Sequence, residues 1–159
     1  MILHSLISAL LTLGLARVSF HSVHISYGDL KITNDTVRGE VTYFKDDWHR
    51  AVDRWYAGCL PTPSREEMER QYLKSHLRFW SGNFHVPIAI DPRVSKNSEL
   101  SVTYGFQFAI PAGTSEVLVD SRAMFSEYGD QMNLLTVETP TGARNLILDA
   151  GHPTSTIKL

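Results

Sequence analysis

LSVTYGFQFAI, residues 100–110, sets Leu100, Val102, Tyr104, Phe106, Phe108 and Ile110 on alternate positions, with Ser101, Thr103, Gly105 and Gln107 between them. A helix would scatter these apolar side chains around its axis, whereas a strand puts them all on one face. The stretch therefore predicts a half-buried antiparallel strand, apolar toward a core and polar toward water. The same alternation recurs in Val37, Gly39, Val41 and Tyr43, and in Phe84, Val86, Ile88 and Ile90. Shorter β-rich runs cover 116–120, 133–138 and 144–149. Thr139-Pro140-Thr141-Gly142 reads as a hairpin turn between the last two, and Ser81-Gly82-Asn83 as another after LRFW.

Two helical patterns interrupt the strands. In FKDDWHRAVDRWYAG, residues 44–58, Phe44, Trp48, Ala51, Val52 and Trp55 share a helical face, and Gly58 is a natural stop. The second helix starts at Ser64, whose spacing to Glu67 is a capping box, and carries Met68, Tyr72, Leu73 and either His76 or Leu77 as its apolar stripe. The order is β-β-α-α followed by about six strands. It predicts a mainly β chain: an antiparallel, immunoglobulin-like β-sandwich with a two-helix insertion at about 45–77, after the second strand.

Length and composition agree with one domain. The chain has 159 residues, of which 43% are hydrophobic and 20% charged, so a folded core is expected. With 15 basic and 17 acidic side chains, net charge −2 and no basic run, nothing favours nucleic acid. The first twenty residues, MILHSLISALLTLGLARVSF, hold an apolar run from Leu6 to Leu15 that falls short of the roughly 20 residues of a bilayer span. They are read as a signal peptide cleaved after Ala16 or near Phe20, although no Lys or Arg precedes the run. Residues 21–159 are then a single exported domain, in the periplasm or secreted, with membrane contact limited to the leader. Cys59 cannot form an intramolecular disulfide and is expected buried or partly buried at a helix end. Asn34-Asp35-Thr36 is a sequon, read here as a turn.

Three constellations carry possible chemistry. His21 and His24 stand three apart at the start of the mature chain. Strand alternation puts His24 with Ser22 and Ser26, opposite Val23, Ile25 and Tyr27, so two such ligands diverge. They share a metal only if His21 supplies its imidazole and a terminal amine, with His24 or His85 as partner, a donor set suited to copper. The plainer reading is a pair of histidines with ordinary polar contacts. Asp46 and Asp47 could act as paired carboxylates, but at a helix start they are expected to cap amides and to complement the dipole. Trp48 and Trp55 are expected in the core, with Tyr56 and one of Phe79 or Trp80 exposed. No nucleophile elbow, zinc-protease motif, P-loop or dinucleotide turn is present, and Cys59 has no identifiable base. The chain is expected not to be an enzyme.

HSVH at residues 21–24, FKDDWHRA at 44–51 and YGDQMNLLTV at 128–137 together resemble a family of small exported bacterial proteins of unknown function. Its members begin with a His-Pro-x-His strand, continue with an F-x-D-D helix start and end with a D-Q-x-N segment before a last hairpin. The resemblance spans about His21 to Leu159, with Ser22 in place of the proline. The positions that match its motifs are His21, His24, Asp46, Asp47, Asp130, Gln131 and Asn133, for which the family supplies no chemistry. It is also distantly similar to the extracytoplasmic domain of hydrogenase and urease accessory permeases, which implies nickel handling by analogy. The leading expectation is a non-catalytic extracytoplasmic protein that binds another protein or an envelope component. The alternative is a periplasmic copper- or nickel-binding protein using His21, His24 and His85.

Overall fold

The computed structural model describes residues 23–159, apart from Asn34 and the side chains of Arg93 and Val94. The expected signal peptide, its cleavage points and His21 lie outside the described residues. Among those residues the order is β1 (Ile25–Ile32), β2 (Thr36–Phe44), α1 (Lys45–Trp55), α2 (Arg65–His76), β3 (Leu77–Ser81), β4 (Phe84–Val86), β5 (Ala89–Asn97) and β6 (Ser101–Ala109), then β7 (Glu116–Ser121), β8 (Met132–Thr139), β9 (Gly142–Leu148) and β10 (Thr154–Lys158).

The strands form a six-stranded sheet, β5-β6-β2-β1-β8-β9, and a four-stranded sheet, β10-β7-β3-β4. One hydrophobic cluster lies between them, with Val37, Val41, Tyr104, Phe106 and Val137 from the first sheet and Leu77, Phe79, Val119 and Ile157 from the second. Phe79 meets Phe108 at 4.6 Å and Phe106 at 5.7 Å between ring centroids, so the facing sides interlock as in a sandwich. The mainly β architecture and the helical insertion after the second strand are as expected.

The pairing departs from the expectation in one place. Every other pair among the described residues is antiparallel, but β1 runs parallel to β8, from Ile25 opposite Met132 to Lys31 opposite Glu138. Eight strands follow the helices rather than about six. The run from Phe84 to Ile90 divides at Pro87, whose missing N–H cannot continue a ladder. β4 then edges the small sheet and β5 the large one. The other extra strand is β10. Leu100 is 75% exposed, because β6 begins one residue later.

Both hairpin turns take two residues. Ser81 pairs with Phe84 across Gly82-Asn83, and Gly82, at φ +56°, supplies the left-handed first position. Thr139 pairs with Gly142 across Pro140-Thr141.

In α1 the buried face is Trp48, Ala51 and Val52, while Phe44 and Trp55 at its ends are about half exposed. Tyr56 and Trp80 are partly buried and Phe79 is fully buried. Because α1 stops at Trp55, Cys59 falls in the following loop and is exposed, contrary to the expectation. In α2 the Ser64 hydroxyl accepts from the Glu67 amide at 3.3 Å, as the capping box predicts, and the stripe continues to Leu77. Ser64→Ala should therefore cost about 1 kcal/mol, read as a lower urea midpoint at unchanged slope.

Candidate functional site

The three motif-bearing segments converge. Parallel pairing of β1 with β8 brings residue 24 beside the segment joining β7 to β8, where the Met132 amide donates to the His24 carbonyl at 2.9 Å. The His24 ring stacks on Tyr128, with centroids 3.8 Å apart and planes 14° from parallel. Its Nδ1 lies 2.8 Å from Asp130 Oδ1, and since a carboxylate only accepts, Nδ1 carries the proton of that contact. Tyr128 donates its hydroxyl to Asp47 Oδ1 at 3.1 Å, which ties α1 to the same point. Burial and Asp47 both raise the Tyr128 phenol above its ordinary range, so it acts as a donor. Arg54 pairs with Glu127, the residue before Tyr128.

Beneath this layer lies a buried amide network. Asn133, 1% exposed, accepts at Oδ1 from the Ser26 hydroxyl at 2.7 Å and from Gln131 Nε2 at 2.9 Å. Its Nδ2 donates to Ser121 Oγ at 3.1 Å. Gln131 Nε2 also donates to the Met132 carbonyl at 3.1 Å, while its buried Oε1 has no partner among the described residues. Strand parity from sequence pairs His24 with Ser26, and this polar side faces inward, with Gly28, Leu30 and Ile32, while Val23 and Tyr27 are exposed. Gly28 permits it: a Cβ there would meet the Leu135 side chain at 2.6 Å and the Glu40 carbonyl at 2.9 Å.

Asp46 and Asp47 do not cap α1. Phe44 is the N-cap residue and makes no side-chain cap, so the two acids sit in the first turn, where they complement the dipole while Asp47 holds Tyr128. His85 belongs to β4 in the other sheet, beside Trp80 at 5.1 Å between rings, and is not brought to His24. Among the described residues, no three His, Cys, Asp or Glu side chains could hold a metal ion together.

A second polar cluster went unread. Glu69 is 7% exposed on α2, accepts from the Tyr104 hydroxyl at 2.7 Å and lies 3.1 Å from His49 Nε2, close but not aligned as a hydrogen bond. Burial, and then the Glu69 carboxylate, hold the Tyr104 phenol protonated far above its usual range. A signal was present: Glu69, Tyr72, Leu73 and His76 follow i, i+3, i+4, i+7 spacing, which places the acid on the inner face.

A depression of about 560 Å³ lies elsewhere, on the outer face of the six-stranded sheet. Asp29, Lys31, Arg38, Glu40, Gln107 and Glu138 stand around it. Lys31 faces Arg38 on one side and Glu138 on the other. Beside it an apolar row crosses the sheet in register, Tyr27 opposite Leu134 and Leu134 opposite Ile147, with Tyr27 52% and Ile147 63% exposed.

No family model matches the chain, and no curated protein matches it either. The fold and the site geometry are therefore what a functional reading rests on. No helix among the described residues is long and apolar enough to cross a membrane.

Proposed function

We propose that this is a non-catalytic extracytoplasmic binding protein, exported through its apolar leader, which docks a protein or envelope component on the outer face of its large sheet. The observation that carries the reading is the Tyr27–Leu134–Ile147 row, which exposes aromatic and branched side chains where a solvated sheet face carries polar ones. The mixed charges beside it would supply register and a polar rim. The motif cluster supports a binding role over chemistry, because its hydroxyls and amides are engaged with one another: Ser26 with Asn133, Asn133 with Ser121, Tyr128 with Asp47. The same reading takes the sandwich as immunoglobulin-like, a proposal supported by two face-packed, mainly antiparallel sheets.

The test is cross-linking in the native envelope with full-length wild type and the Ile147→Asp variant. Because Ile147 is exposed, the variant should melt within a few degrees of wild type, and it should lose the partner that wild type captures. Capture by both forms equally, or a wild type that captures nothing, would reject this surface.

One observation favours the metal reading as an alternative. Metal-ligating histidines commonly donate their other ring N–H to a carboxylate, and Asp130 stands in that relation to His24. His24 would offer Nε2, and residues ahead of Val23, including His21, would have to complete a copper or nickel site. Intact mass after metal loading and removal of excess metal decides it: one ion retained by wild type and lost in His21→Ala and His24→Ala supports the site, and none retained by wild type rejects it.

A further inference from the structure

We propose that a second depression, between the segment joining β7 to β8 and the turn joining β9 to β10, binds the carboxylate of a small organic acid with an apolar substituent. It is separate from the sheet face proposed above. The depression encloses about 320 Å³ and is lined by His76, Arg122, Phe125, Ser126, Ala150 and Pro153. That volume is at the lower end of what small-molecule sites occupy, which matches one ring or a short chain plus an acid group.

The charge balance points to an anion. Asp120, 5% exposed on β7, is shared by two guanidiniums: Arg78 bonds Oδ2, and Arg122 donates Nε–H to Oδ1 at 2.7 Å. One carboxylate between two arginines leaves a net positive charge. Arg122 reaches Asp120 through Nε, and its terminal nitrogens have no partner among the described residues. A guanidinium edge offering parallel N–H donors matches a carboxylate in a two-point contact. Ser126 adds a hydroxyl, and Phe125, Ala150 and Pro153 make the apolar wall.

The surrounding groups do not compete for Arg122. His76 is engaged at Nδ1 by the Tyr72 carbonyl at 2.8 Å, and burial holds its imidazole below the ordinary value. Asp149, next to Ala150 in sequence, accepts from the amides of Gly151 at 2.8 Å and His152 at 2.7 Å. Glu127 is paired with Arg54.

The walls are also held in place before any ligand arrives. The Arg122 amide donates to the His76 carbonyl at 2.7 Å and the Ser121 amide to the Pro153 carbonyl at 3.0 Å. Between Arg122 and Phe125, Met124 adopts φ +66°, a left-handed conformation uncommon for a side chain of its size. It is secured by burial and by donation of its amide to the Tyr72 hydroxyl at 3.0 Å. Strain that the surroundings maintain next to a concave site is a recurrent mark of a ligand clamp.

The experiment is an amide-resolved NMR titration of the full chain with benzoate, hexanoate and benzamide, repeated on Arg122→Gln. In that variant Arg78 still pairs Asp120, so the fold is retained and its spectrum confirms it. Saturable shifts confined to residues 122–126 and 150–153 are expected with the carboxylates. Benzamide and the variant should each bind about tenfold more weakly or worse, as loss of a charge-assisted contact implies. Equal response to benzoate and benzamide, undiminished binding by Arg122→Gln, or no saturable shift with either carboxylate up to its solubility would overturn the site.

Discussion

Asn133→Leu should lower the unfolding free energy by about 3 to 5 kcal/mol, a large part of the roughly 5 to 15 kcal/mol that holds a domain of this size together. Leucine keeps the branched outline but is bulkier and has no polar atom, so lost hydrogen bonds and overpacking both contribute. The Ser26 hydroxyl and the Ser121 hydroxyl lose their Asn133 partner, at 2.7 and 3.1 Å, in a place water does not reach. Gln131 keeps the Met132 carbonyl but loses its second acceptor. Each buried group left unmatched costs about 1 to 3 kcal/mol, more than its bond contributed when made. Ser26→Ala is the milder companion, expected near 1 kcal/mol, because one donor disappears and Asn133 still accepts from Gln131. Urea unfolding of the two variants beside wild type gives both numbers. A loss below about 1 kcal/mol for Asn133→Leu would mean that water or repacking satisfies the serines, and that the network does not fasten β1 to β8.

That network shows where sequence reading succeeds and where it stops. Local physics was legible: the period-2 run of β6, the capping box at Ser64 and the hairpin turns at Gly82 and Pro140 are each decided by residues within a few positions. The motif residues could be singled out, but not their meeting, because Ser26 and Asn133 are 107 positions apart and are joined by a parallel pairing with no local signature. For β1 the alternation was correct in phase, yet which face turned inward depended on Gly28, Leu30 and Ile32 and on the small side chains that let Leu135 and Val41 close over Gly28. Asp46 and Asp47 looked like caps because helix starts favour acids. The helix begins directly at the end of β2, so Phe44 occupies the cap position and leaves Asp47 to Tyr128. Arg78 and Asp120, the ion pair behind the second depression, gave no motif at all: they meet across β3 and β7 by register alone.

Trp48→Ala should be the other large loss, about 3 to 5 kcal/mol, and its effect should be confined in space. Trp48 is fully buried, stacks on Tyr43 at 4.3 Å between centroids and meets Tyr72 edge-on at 5.1 Å and Tyr104 at 5.3 Å. It thus joins α1 to β2, α2 and β6 at once. The other buried residues of α1, Ala51 and Val52, are small, Trp55 meets Tyr72 only from a half-exposed position, and the polar ties, Arg65 to Asp53, Arg54 to Glu127 and Tyr128 to Asp47, are individually weak. Removing the indole leaves a cavity that these ties cannot close. Hydrogen exchange should then show α1 and α2 losing protection first, while the β1–β2 and β2–β6 ladders keep most of theirs. Trp48→Phe, which retains an aromatic face against Tyr43, should lose about 1 to 2 kcal/mol, less than half as much. Uniform loss of protection across both sheets would instead make the insertion part of one cooperative core. The His24 ring-current shift from Tyr128 separates the two cases further, because it depends on β1 and β8. Its survival in Trp48→Ala, with the helices open, would show that the sheet pairing assembles the motif cluster and that Asp47 only fastens the insertion to it.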